Sequence, residues 1–303
     1  MSRLCGPTAN ELKPPIILIG NVRSGTSMIQ DLFAIHPEIV PWFEPRTVWT
    51  YADPSRRHDR FDRSDASPRV VQYIRRRFLG YQRSHDNRRI MEKTPSNIMR
   101  IPYVRAVLPE AKYLYIVREP LANLSSSELK WRLPIHRHKL WRRLKETPKS
   151  QLHHYAARYL IDHTRIRLLK RRHVSVWGVR YPGIYEDLKT LTAEQVIAKQ
   201  WIAACQQARE DLAGLDENTV MQIRYEDFVE KPKEIFPRIL EHFDLPMTMG
   251  IETELSRRID PNRRQKWRRL DNDVVKTCLP ILREEMARHG YETPDEYRET
   301  GDS

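Results

Sequence analysis

The chain has 303 residues, 40% of them apolar, enough material for a buried core, which excludes disorder as its main state. Its 53 Lys and Arg against 40 Asp and Glu leave a net charge of +13, a balance that points to an anionic partner. Three cysteines far apart in sequence, Cys5, Cys205 and Cys278, encode neither a disulfide framework nor a structural zinc site and fit a reducing cytoplasm. Residues 1–14 read as a flexible arm without the apolar stretch of a secretory signal, and Ser2 stands where myristoylation would need glycine. The aliphatic run Ile16–Ile19 is far short of a membrane span, so a soluble protein with no transmembrane segment is expected.

Ile16–Ile19, ending at Gly20, predicts a buried strand followed by a tight turn. A helix should follow, capped by Ser24, Thr26 or Ser27, with Met28, Ile29, Leu32, Phe33 and Ile35 as its apolar face and His36–Pro37 as its stop. The stretch Asp53–Ala66, dense in Arg and Asp, predicts a mobile surface loop. Further strands are expected at Ile90–Met91, Lys112–Val117 and Val220–Ile223, and helices around Asn97–Leu108, Ala122–Trp131 and Pro232–Phe243. This alternation predicts one α/β domain over residues 1–303 with a central parallel sheet and flanking helices. Residues 127–215 read as a mostly helical, basic insertion on the acceptor side.

Two segments carry chemistry. Gly20–Ser27, GNVRSGTS, has the glycine spacing of a phosphate-binding loop, in which backbone N–H groups and a helix N-terminus receive an anion. Thr26 replaces the lysine that such loops aim at the β- and γ-phosphates, which argues against ordinary ATP or GTP hydrolysis, while Arg23 supplies a cation inside the loop. In YIVREPLANLSSS, a strand end delivers Arg118, and Ser126 follows eight residues later near a helix start, making a second anion pocket. Two phosphate pockets on one nucleotide imply a bisphosphate.

With MEKTPSN, RYEDFVEKP and a weaker RRQKWRRL, these segments make the chain resemble the sulfotransferases that use 3′-phosphoadenosine 5′-phosphosulfate (PAPS), over about Ile16–Leu270. The resemblance, nearest to the glutamate-base carbohydrate and tyrosylprotein types and to bacterial members, implies a P-loop-like sulfotransferase architecture. It implies PAPS as donor, 3′-phosphoadenosine 5′-phosphate (PAP) as product, a hydroxylated acceptor such as a small molecule, glycolipid or saccharide, and no metal. Arg23, Ser24, Gly25, Thr26 and Ser27 are similar to the 5′-phosphosulfate loop, and Arg118 with Ser126 to the 3′-phosphate clamp. Tyr225 sits at an adenine-contact position; Arg264, Lys266 and Trp267 resemble a basic loop over the 3′-phosphate, although Gln265 replaces its usual glycine.

The chemistry would need cations where charge grows on the leaving phosphate, a role for Arg23 and Lys93, and a base for the acceptor proton. Pro95 follows Lys93–Thr94 where cytosolic members carry a histidine, so Glu44, at the glutamate-base position, is the expected base, with Glu92 the lesser candidate. Trp42, Trp49, Tyr51 and Trp131 could line an acceptor pocket or pack in the core. His136, His138, His153 and His154 lie in basic stretches with no carboxylate at ligand spacing and read as surface residues. Two other functions fit parts of the sequence: a small-molecule P-loop kinase, and a basic polyanion- or nucleic-acid-binding protein. The first lacks its lysine; the second lacks any recognised nucleic-acid-binding signature, so no specific nucleic acid is expected.

Overall fold

Five short strands pair into a fully parallel sheet of order β2-β3-β1-β4-β5 in the computed structural model, which describes residues 11–131, 177–259, 267–268 and 270–297. The strands are β1 (Ile16–Gly20), β2 (Ile39–Phe43), β3 (Arg89–Lys93), β4 (Lys112–Val117) and β5 (Val220–Arg224). Ile16 faces Met91 on one side of β1 and Lys112 on the other, and this register brings all five carboxyl ends to one edge. Parallel pairing demands crossovers, supplied mainly by helices α1 (Thr26–Phe33), α2 (Arg46–Trp49), α3 (Pro68–Arg83), α4 (Ile101–Val107), α5 (Pro120–Trp131), α6 (Ile184–Thr190) and α7 (Ala193–Leu212). After β5 come α8 (Tyr225–Glu230), α9 (Pro232–His242), α10 (Met249–Arg258) and α11 (Asn272–Arg288).

The sheet is buried on both faces, which is why β1 reads as a continuous apolar run rather than an alternation. Ile17, Ile19, Tyr113, Tyr115 and Val117 point into a core that holds Trp49, Phe78, Tyr103 and Trp201. Ile16, Leu18, Leu114 and Ile116 point into the other, built around Phe33, Phe228, Phe236 and Phe243. The P-loop-like α/β architecture expected from the sequence is the one observed.

The expectations need correction at four places. β2 and α3 are additional elements: α3 buries Val70, Ile74 and Phe78 at i, i+4 and i+8. Pro95–Met99 forms a 3-10 turn, and the α-helix begins only at Ile101. The cap of α1 is Gly25, at φ +89°, and no side chain of Ser24, Thr26 or Ser27 caps it. Asp53–Ala66 is no loose surface loop: Phe61 is buried, Arg56 makes a bidentate ion pair with Asp65, and buried Asp59 binds Arg180 at 2.6 Å. Charged pairs inside the segment satisfy one another, so its polarity does not require full exposure.

Candidate active site

The carboxyl edge of a doubly wound parallel sheet is where loops and helix N-termini converge, and here each strand end contributes a chemically equipped residue. In spatial order β2 leads into Glu44, β3 ends at Lys93, β1 opens the Gly20–Ser27 loop, β4 leads into Arg118, and β5 is followed by Tyr225.

The loop turns on a short hydrogen-bond set. Ser24 N–H donates to the Asn21 carbonyl at 3.2 Å, and Asn21 Oδ1 accepts from Val22 N–H at 2.8 Å. Two outside donors take its carbonyls: Asn123 Nδ2 bonds Val22 O at 2.7 Å, and Arg118 Nη1 bonds Arg23 O at 2.8 Å. Thr26 and Ser27 then open α1; the N–H groups of Met28 and Ile29 turn back to the Gly25 carbonyl, so those of Thr26 and Ser27 stand at the helix start, where an anion is favoured. Gly25 is required twice over: its φ is left-handed, and a Cβ there would overlap the Tyr225 ring, lying 2.6 Å from Cε2. Tyr225 is therefore a floor under the loop, and Arg118 sits over the same ring at 4.4 Å.

Arg118 is 6% exposed, yet its Nε has no partner among the described residues, and the same holds for the buried Ser24 Oγ. Donors left unbonded in a buried place carry a desolvation penalty that an anion's oxygens would remove. Arg23 Nε donates to Ser126 Oγ at 2.9 Å, so the two sequence motifs, 103 residues apart, meet side chain to side chain. Glu119, after β4, accepts from the N–H groups of Leu121 and Ala122 and so fixes the start of α5, which carries Ser126; burial pushes its carboxyl up to about 7. Trp201 Nε1 donates to the Arg118 carbonyl at 2.9 Å and holds the β4 end from the other side.

Glu44 lies between two cations, with Oε1 3.2 Å from Lys93 Nζ and Oε2 3.1 Å from Arg46. Its N–H donates to Lys93 O at 3.0 Å, extending the β2–β3 ladder by one residue. Glu92 points the other way, into the core. Fully buried, it accepts from Thr94 Oγ1 and, at 2.8 Å, from Asn97 Nδ2, and burial pushes its carboxyl up to about 7. Its hydrogen-bonded partners brace the turn that follows Lys93.

The structure thus brings Arg23, Ser24, Gly25, Thr26, Ser27, Arg118, Ser126 and Tyr225 into one constellation and joins Glu44 to Lys93 at the ends of the neighbouring β2 and β3. Trp267 is half-buried against the core and lines a cleft of about 230 Å³ with Arg268, Asn272 and Tyr297. Arg264, Lys266 and the four histidines lie outside the described residues. Trp42 and Trp49 pack in the core, Trp42 stacked on Tyr81 at 4.4 Å and Trp49 edge-on to Phe78. Asn123 and Trp201 escaped the sequence reading because each acts on backbone that only folding brings near, whereas Glu119 binds N–H groups only two and three residues on, a local signal at the helix start. Among the described residues no group of His, Cys, Asp or Glu is placed to hold a metal ion, and no helix is long and apolar enough to cross a membrane.

A model described as the sulfotransferase family matches residues 14–187 and 171–249. No curated protein matches the sequence. Among solved structures, the sulfotransferase domain from the curacin biosynthetic pathway is similar at a TM-score of 0.55 and 14% identity, over 94% of this chain and 100% of that one. The sulfotransferase domain from the Synechococcus PCC 7002 olefin synthase gives 0.52 and 14%, over 95% and 98%. Sulfotransferase STF9 from Mycobacterium avium gives 0.53 and 14%, over 93% and 78%. At such identity these likenesses speak for the fold.

Proposed function

Because the chain belongs to the sulfotransferase family, we propose that it moves a sulfuryl group from PAPS to the hydroxyl of an acceptor, leaving PAP. The observation that carries this reading is the place of Arg118. Its guanidinium reaches the Arg23 carbonyl of the glycine loop, lies over Tyr225 and keeps Nε unbonded, while Ser126 of the same motif holds Arg23. A nucleotide with phosphates on both ends of its ribose fits such an arrangement; one with a single phosphate would leave one cradle empty.

The donor supplies the sulfuryl group and a leaving phosphate; the chain supplies position, charge and a base. Ser24, Thr26, Ser27 and the first N–H groups of α1 receive the 5′ end, Arg118 and Ser126 the 3′-phosphate, and Tyr225 packs beside the adenine. Arg264, Lys266 and Trp267 are assigned to the same nucleotide on the resemblance alone. Arg23 and Lys93 offset charge on the leaving and transferred oxygens. Glu44 takes the acceptor proton as the acceptor oxygen bonds to sulfur and the sulfur–phosphate oxygen bond breaks, so atoms and charge balance.

Residues 1–303 are proposed to form one domain acting on a hydroxylated small molecule, glycolipid or saccharide. Free, buried Cys205 and Cys278 support a reducing, cytoplasmic setting. Calorimetric titration of the protein with PAP, AMP and ATP tests the reading. PAP is expected to bind at least about tenfold more tightly than AMP, the scale of one charge-assisted contact. Equal affinities would remove the two-cradle assignment, and preferential binding of ATP with metal-dependent turnover would favour the kinase.

A further inference from the structure

One peptide unit joins the two halves of the Arg118–Ser126 motif. It links Arg118, which follows β4, to Glu119, whose carboxylate takes the Leu121 and Ala122 N–H groups at the start of α5. The sheet cannot hold this unit. Its ladder closes at Gly20 opposite Ile116 on one side of β4 and at Val117 opposite Arg224 on the other, after which β1 turns into the glycine loop and β5 into α8. A backbone carbonyl and N–H shielded from water still need partners.

Side chains supply both. Trp201 Nε1, from α7, donates to the Arg118 carbonyl at 2.9 Å, and Glu226 Oε1, from α8, accepts from the Glu119 N–H at 3.1 Å. The two bonds grip opposite edges of one rigid plane, so together they set its rotation, and with it ψ of Arg118 and φ of Glu119. Fixing this plane fixes the strand end that carries Arg118 against the helix that carries Ser126.

Both holders are steadied from a single turn. α11 ends at Arg288, and the chain turns at Gly290, at φ +70°, with the Gly290 and Tyr291 N–H groups bonded to the Ala287 and Met286 carbonyls. The turn sets the His289 ring edge-on to Trp201, 5.9 Å between centroids, and lets the Tyr291 hydroxyl donate to Glu226 Oε2 at 2.9 Å. Tyr291 is buried and packs against the Arg224 guanidinium at 4.3 Å, so its hydroxyl has little freedom to leave.

We propose that Glu226 and Trp201 are positioning residues of the 3′-phosphate clamp: they fix the Arg118–Glu119 peptide, and Tyr291 steadies Glu226 from the end of α11. Their role presupposes that Arg118 is the cation for the second phosphate, as proposed above. Charge and geometry act here with opposite signs. Glu226 is an acid one peptide away from that cation, so removing its charge alone should tighten phosphate binding, whereas removing its hydrogen bonds should loosen it.

The test compares full-length wild type with Glu226→Gln, Glu226→Ala and Trp201→Phe, and with Leu240→Ala, a cavity in the other core, as a control for lost stability. PAP and AMP dissociation constants are measured by calorimetry, and hydrogen exchange is followed at the Glu119 amide. Glutamine keeps an acceptor for the Glu119 N–H and a group that the Tyr291 hydroxyl can bond, so its ratio of AMP to PAP constants should stay within about twofold of wild type or rise. Glu226→Ala should lower that ratio at least about threefold and speed exchange of the Glu119 amide at least about tenfold, with AMP affinity little changed. Trp201→Phe, which keeps a ring and loses the donor, should lower the ratio likewise, and a ratio it leaves intact would remove Trp201 from the role. Leu240→Ala should lower the melting temperature and leave the ratio alone. A ratio that rises in both Glu226 variants would reduce Glu226 to its charge, and an equal fall in Leu240→Ala would reduce the effect to stability; either overturns the proposal. If Glu226→Ala does not fold, Tyr291→Phe carries the test through the same amide, whose exchange should quicken; unchanged exchange would count against the clamp. Equal PAP and AMP affinities in wild type would overturn the bisphosphate reading itself, whereas a wild-type ratio of at least about ten that survives Glu226→Ala would overturn this proposal and leave that reading standing.

Discussion

Arg23 and Glu44 stand at φ +65° and +49°, in a backbone region that side chains other than Asn and Asp seldom enter. The other non-glycine residues there among the described ones are Asp86, Asn87 and Asp244, which tolerate it. Strain of about 1–3 kcal/mol at each of two charged residues on the same sheet edge is what a site that must hold them at fixed angles would show. Glu44→Gln should keep PAP affinity within twofold and lower single-turnover transfer by about 10²–10⁴-fold; an unchanged chemical step would reassign the base. Gly25→Ala acts differently. The added methyl must displace the Tyr225 ring and adopt a left-handed φ, so both the melting temperature and PAP affinity should fall. Loss of stability with full PAP affinity would show that Tyr225 does not face the nucleotide.

Asp59 binds Arg180 through both carboxylate oxygens, to its backbone N–H and its guanidinium, and fully buried Arg100 feels the same carboxylate. This clamp ties the segment after β2 to the chain entering α6, across 121 residues of sequence. Asp59→Ala should cost about 3–5 kcal/mol in a denaturant melt, because two buried guanidinium groups lose their counterion; a loss under 1 kcal/mol would mean the clamp is solvated. The partner's distance in sequence is why Asp53–Ala66 read as a loose loop. β2 hid for another reason: IVPWF contains Pro41, which cannot donate to a ladder and argues against a strand except at a sheet edge, where β2 lies. The i, i+4, i+8 signal of α3 was present but masked by its arginines. By contrast β1, β4, β5 and the Gly20–Ser27 and Arg118–Ser126 motifs were legible, since short apolar runs ending in glycine or arginine at fixed spacing are local features. Helix capping of the loop by Gly25 was not, because three hydroxyl residues offered a commoner cap.

At the scale of the whole molecule, two buried carboxyls set a pH signature. Burial raises Glu92 and Glu119 from the ordinary 4.5 to about 7, so between those values the folded chain binds more protons than the unfolded one and stability from these groups falls as pH rises. His58, His242 and His289, lowered by burial, run the opposite way, and the readout is therefore a difference. Stability of the wild type relative to Glu92→Gln should drop by up to about 3 kcal/mol from pH 5 to pH 8; a difference that does not change with pH would place Glu92 near its ordinary value. The site it braces gathers groups from all five strand ends, and its claim to a bisphosphate nucleotide rests on Arg118. The most direct measurement is the ratio of AMP to PAP dissociation constants in wild type and in Arg118→Ala. The account predicts a ratio of at least about ten in wild type that collapses to within twofold in the variant, with AMP affinity little changed. A ratio that survives the substitution would contradict it.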